Sequence, residues 1–152
     1  MIYVQQLLEN RILLAGLIGW ASAQVIKALI YLIVNGSFEI ERLFGDGGMP
    51  SGHSATVAAA ALRTGFECGF DSPVFALAVL LAIIVMHDAM GVRLETGKQA
   101  KVINSMVDVL EELGRQDLST EEKLKEFVGH SPSQVLAGAG LGILVAVIIQ
   151  VF

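Results

Sequence analysis

The sequence predicts an all-α fold: an integral membrane helical bundle of about four membrane-embedded helices, with an amphipathic helical hairpin between the third and fourth. Three observations carry this. Hydrophobic residues make up 54% of the 152-residue chain and charged residues only 16%, where a soluble domain has about 25% charged residues. The mean hydropathy is +0.66. The apolar residues are gathered into long runs with almost no charge, as helices crossing a ~30 Å hydrocarbon core must be. The composition is far too apolar for a disordered chain. The length suits one domain, residues 1–152. The single cysteine, Cys68, cannot form an internal disulfide, which excludes a stapled secreted scaffold. A net charge of −5 argues against a nucleic-acid partner.

The first apolar segment, residues 12–34, reads ILLAGLIGWASAQVIKALIYLIV and is long enough to span. Its length, the absence of a basic stretch before it and the interrupting Gln24 and Lys27 distinguish it from a cleaved signal peptide. The second, residues 54–66, is the weakest. It is short, rich in alanine and carries Arg63 near its end, which suits a tilted or partly embedded helix. The third, residues 73–92, contains the uncharged run VFALAVLLAIIVM. The fourth, residues 132–152, is uncharged and has Gly138, Gly140 and Gly142 near its start. Small residues of this kind let helix backbones approach closely in lipid.

The polar insertion, residues 95–129, separates the third and fourth segments. Ile103, Met106, Val107, Leu110 and Leu113 recur at helical spacing in its first half. Its second half opens on Ser119-Thr120-Glu121-Glu122, a capping-box pattern that starts another short helix. Such a hairpin would lie on the membrane surface or on the core. Four crossings put the 36–51 loop and the insertion on one side. That side carries Arg42, Arg93, Lys98, Lys101, Arg115, Lys123 and Lys125, against Arg11 and Arg63 on the other. The positive-inside rule then places both large loops in the cytoplasm and both termini outside. A dimer would help to bury Arg63, Gln24 and the glycine face, so self-association as a homodimer is expected.

Polar chemistry gathers on the loop side. His53 lies in Gly-Gly-Met-Pro-Ser-Gly-His-Ser, residues 47–54, and His130 in Gly-His-Ser-Pro-Ser-Gln, residues 129–134. Each sits where a loop meets the start of an apolar helix. His87, Asp88 and Arg93 return to the same face at the end of the third segment. Helix starts expose unpaired N–H groups and the positive end of the helix dipole, which suits phosphate. Gly47, Gly48 and Gly52 permit close backbone approach to an anion. One histidine can attack phosphorus while the other protonates the leaving oxygen, and an arginine can hold the equatorial oxygens. Each piece also has a plain structural reading. The glycine-rich stretch can be a turn, Ser131-x-x-Gln134 a capping box, His87-Asp88 a buried pair, and Arg93 an interfacial anchor.

Pro50-Ser51-Gly52-His53 matches the Pro-Ser-Gly-His signature of the type-2 phosphatidic acid phosphatase and vanadium-dependent haloperoxidase superfamily. The stretch from Gly129 to Gly138 resembles the second half of that superfamily's last block, in the right order along the chain. Together with Asp-Ala-Met-Gly-Val-Arg at residues 88–93 and Gly-Lys-Gln-Ala at residues 97–100, the chain resembles a divergent, small, four-span subgroup over nearly its full length. The resemblance implies that His130 is the nucleophile that forms a phosphohistidine and His53 the general acid. It implies phosphate contacts from Ser51 and from the Gly52 backbone N–H, beside Gly48, which the glycine-rich stretch itself offers to a phosphate. Arg93 would be the displaced arginine of the last block, since Leu124 occupies its usual place six residues before the histidine. Gln134 stands where the superfamily has the aspartate that orients the nucleophile, and Asp88 is the candidate to supply that charge instead. No Arg-Pro pair exists, so the first block is absent. Lys98 and Lys27 are the candidates for its lysine, with Lys98 preferred because Lys27 lies inside an apolar span.

What the resemblance implies is hydrolysis of a lipid phosphomonoester or diphosphate through a phosphohistidine, without metal or other cofactor. The competing reading is a non-catalytic lipid-phosphate binding or transport protein that retains the anion site. Metal-dependent hydrolysis through His87, Asp88 and Glu95 is weaker, because those residues lack a characteristic ligand spacing. The partners expected are the lipid bilayer, a lipid phosphate and a second copy of the chain.

Overall fold

The computed structural model describes residues 2–36, 48–113, 124 and 129–151, and these are helical with short connections. Six helices follow in order: α1 (Ile2–Glu9), α2 (Arg11–Asn35), α3 (Gly52–Cys68), α4 (Pro73–Met90), α5 (Val92–Glu112) and α6 (Pro132–Val151). The short α1 precedes the first apolar segment and was not anticipated. Asn10 separates it from α2, its Oδ1 accepting the N–H groups of Ile12 and Leu13 at 3.1 and 3.0 Å, an N-cap that satisfies two orphan donors. Gly36, with φ of 69°, ends α2 in the left-handed conformation that glycine tolerates best.

Three helical stretches are long and apolar enough to cross a membrane: α2, the run Pro73–Leu110 that joins α4 to α5, and α6. Their outward residues, such as Leu17, Val25, Leu81, Ile84 and Leu144, are exposed. In water this would be a liability; in lipid it is the expected surface.

The weak second segment is the centre of the bundle. Helix α3 packs against α2, α4 and α6, and nine of its residues are buried. Glycines on its neighbours bring the backbones together. A Cβ built on Gly19 of α2 would lie 2.8 Å from the Ala55 carbonyl oxygen; on Gly138 and Gly142 of α6 it would lie 2.3 Å from those of Ser51 and Ala55. Low hydropathy is tolerable in α3 because other helices shield it from lipid, and its alanines are needed for this close packing.

Ser72 caps α4 by accepting the Phe75 N–H at 3.2 Å, with Pro73 at the first-turn position. Phe66, Phe70 and Phe75 stack edge to face at 5.5 and 5.1 Å across the turn from α3. Helix α5 begins at Val92, directly after Gly91, and carries the expected amphipathic pattern. The second arm of the hairpin, beginning at Ser119, lies outside the described residues. Only Leu124 is placed there, its backbone N–H and C=O held by the Asn104 amide at 3.0 and 2.9 Å.

The features that suggested a dimer are internal. Arg63 is 2% exposed and donates to Glu67 and Gln150 at the end of the bundle remote from His53. Gly138 and Gly142 face α3, and Gln24 is buried within the chain.

Candidate functional site

The start of α3 is fastened before it presents any chemistry. Ser51 is fully buried. Its Oγ accepts the Ser54 N–H at 3.3 Å and the Ser54 hydroxyl at 3.1 Å, and its own N–H donates to the Gln134 carbonyl at 3.0 Å. The first turns of α3 and α6 are thereby locked together. His53, the second residue of α3, projects from this junction.

His130 is held from a different direction. Its N–H donates to the Ala89 carbonyl at 2.9 Å, which ties it to the end of α4. Gly129 before it has φ of 96°, and a Cβ there would lie 2.3 Å from the Leu94 nitrogen. Only glycine fits both that conformation and that approach. The result is a buried imidazole, 2% exposed, with its ring centroid 5.8 Å from that of His53 and the planes inclined by 61°.

Helix α2 supplies the third wall. Trp20, Gln24 and Lys27 lie four and three residues apart, so they share one face. With Gly52, His53, Thr56, Val57, Val85 and His130 they line a cavity of about 240 Å³. Lys27 is only 9% exposed, and its methylenes lie against Gly48, whose φ is 78°. The Gln24 Oε1 has no hydrogen-bond partner among the described residues. The cavity therefore gathers an ammonium group, two imidazoles, an amide and the N-terminal backbone of α3. Those are the donors and the dipole an anion needs. Among the described residues, no group of three or more His, Cys, Asp or Glu side chains could hold a metal ion.

Of the residues singled out from the sequence, His53, His130 and Gly52 line this cavity. Gly48 sits behind Lys27, and Ser51 serves as the α3 cap. Gln134 does not line the cavity: its Oε1 accepts the Ser131 N–H at 3.0 Å, closing the first turn of α6. Asp88 accepts from Arg93 Nε at 3.3 Å, and neither lines the cavity. Lys98 is also elsewhere. Its ammonium lies 2.6 Å from Glu95 on an exposed face of α5, its side chain 62% exposed. The preference for Lys98 over Lys27 is thus not matched by position: Lys27 is the lysine beside the histidines. A basic and an amide side chain three residues apart inside an apolar span were the signal for α2, since such groups are costly in lipid unless they serve a site.

A family model described as the divergent PAP2 family matches residues 8–145. The chain is also similar to the "uncharacterized membrane protein YuiD" of Bacillus subtilis, 37% identical over 155 residues that cover 97% of this chain and 98% of that protein. No solved structure matches the chain.

Proposed function

The chain belongs to the divergent PAP2 family, and from that premise we propose that it is a membrane phosphohydrolase acting on a lipid phosphomonoester or diphosphate. The observation that carries this reading is the pair of histidine rings 5.8 Å apart in one cavity with Lys27.

The chemistry divides into two steps. A neutral His130 nitrogen attacks phosphorus. The bond from phosphorus to the leaving oxygen breaks, and that oxygen takes the proton of the His53 imidazolium. Water then attacks the phosphohistidine, giving its proton to the neutral His53; the bond from phosphorus to the His130 nitrogen breaks, the electron pair returns to the imidazole, and orthophosphate departs. Lys27 and the N–H groups opening α3 hold the non-bridging oxygens, where negative charge is concentrated throughout. Burial of the pocket in a lipid-embedded bundle strengthens each of these contacts.

That neither Gln134 nor Asp88 lines the cavity favours a second reading: a lipid-phosphate binding or transport protein that keeps the anion site without turnover. Phosphate release from a panel of lipid phosphates, by purified protein with and without a chelator, separates the two. The first reading expects turnover that survives chelation and is lost in His130→Ala. Binding of orthophosphate or vanadate with no release from any lipid would select the second.

The site face is proposed to be cytoplasmic, from the excess of lysine and arginine in the loops on that side. Cys68, exposed at the opposite end of α3, would then face outward.

A further inference from the structure

The cavity holds an acceptor that a bare anion does not explain. Gln24 is 8% exposed and lines the cavity with Lys27, His53 and His130. Its Oε1 is buried and has no hydrogen-bond partner among the described residues. Its Nε2 lies on the Gly52 side, 3.9 Å from where a Cβ on that glycine would stand. A buried carbonyl oxygen left unpaired is costly, so Oε1 calls for a donor.

The neighbouring side chains do not supply it. Trp20 and Lys27 share the face of α2 with Gln24 and carry only donors, yet neither bonds Oε1. Thr56 spends its hydroxyl proton on the Gly52 carbonyl at 2.8 Å. In the empty cavity water can serve; in the occupied cavity the donor has to come from the ligand. The deprotonated oxygens of a phosphate carry only lone pairs. Set against Oε1 they repel it, strongly so in a buried site. A phosphoryl oxygen that keeps its proton donates instead. Glutamine suits this task better than a carboxylate, because it accepts without adding negative charge to an anion site.

We propose that Gln24 reads the proton of the bound phosphoryl group: its Oε1 accepts the P–O–H, while Lys27 and the N–H groups opening α3 take the bare oxygens. The inference rests on reading the cavity as a phosphate site. It makes Gln24 a specificity-determining residue and narrows the ligand to a terminal phosphoryl group that can carry a proton. The phosphodiester head groups that crowd a bilayer have no such proton, and neither has sulfate. A site built around a hydroxyl rejects the analogue that lacks it, because the buried polar group is left unpaired.

The test titrates the full protein in detergent with orthophosphate and with sulfate, in mildly alkaline buffer. Both are then mainly dianions of similar size, and they differ by one proton. Orthophosphate is expected to bind at least about tenfold more tightly than sulfate. Gln24→Met, which keeps the length of the side chain and removes the acceptor, is expected to bring the two within about threefold. Gln24→Asn, which draws the carbonyl back by one methylene, is expected to lose part of the preference and serves if the methionine variant does not fold. Equal binding of the two anions by the unaltered protein would overturn the proposal and leave the phosphate site standing. So would a preference that survives undiminished in either variant, which would assign the proton's acceptor to another group. Binding of neither anion by the unaltered protein would overturn the phosphate reading itself, and the proposal with it.

Discussion

In the proposed reaction two histidines and a lysine bear the chemistry, and their separate roles make separable predictions. His53→Ala is expected to lower turnover about 10²–10⁴-fold, the usual worth of a positioned acid–base group. Lys27→Met is expected to weaken orthophosphate binding about 10- to 100-fold, as the loss of a buried charge-assisted contact does. Lys98→Ala, by contrast, removes a partner of an exposed ion pair and is expected to change it less than about twofold. Equal effects at Lys27 and Lys98, measured by titration with orthophosphate, would remove Lys27 from the site. The histidines could be paired from the sequence because each sits where a loop meets the start of a helix. Lys27 was the harder residue. Hydropathy presents it as an interruption of a span, and only the packing of α2 on α3 reveals that it lines the same cavity as His53. Gln134 shows the opposite difficulty. Its spacing from His130 suggests an orienting group, yet the same side chain also satisfies the capping-box pattern, and the cap is what forms.

Among the elements, α3 holds the bundle together, and its interfaces depend on glycine. Gly142→Ala places a Cβ 2.3 Å from the Ala55 carbonyl oxygen and is expected to cost about 1–3 kcal/mol through overpacking. Gly140 on the same helix has nothing within 4 Å of such a Cβ. Gly140→Ala is therefore expected to be neutral or stabilising by about 0.5–1 kcal/mol, since alanine restricts the chain less unfavourably in a helix. Thermal unfolding of the two variants in detergent checks both signs together. The four apolar segments were legible to within a few residues, because a lipid-facing helix must be apolar along its length. The rank of α3 was not, because hydropathy measures exposure to lipid and α3 has little. Where α4 gives way to α5 was also blurred. The two form one nearly continuous helical run, interrupted only at Gly91.

At the scale of the whole molecule, the bundle has two chemically different ends. One carries the histidine cavity; the other carries the buried Arg63 with Glu67 and Gln150. With a cytoplasmic site, Cys68 is expected to react with a membrane-impermeant maleimide added to intact cells, whereas labelling only after lysis would invert the orientation. The charge count that suggests this orientation was available from sequence; the enclosure of Arg63 within one chain was not, since its partner Gln150 is 87 residues away. The proposed reaction requires that His130 be phosphorylated during turnover. It is tested most directly by mixing the wild-type protein with a lipid phosphate labelled on phosphorus, quenching in base during turnover and mapping the adduct by mass spectrometry. The expected result is an acid-labile, base-stable phosphoryl group on His130 that is absent from the His130→Ala protein. Label on another residue, or none while orthophosphate still binds the cavity, would contradict it.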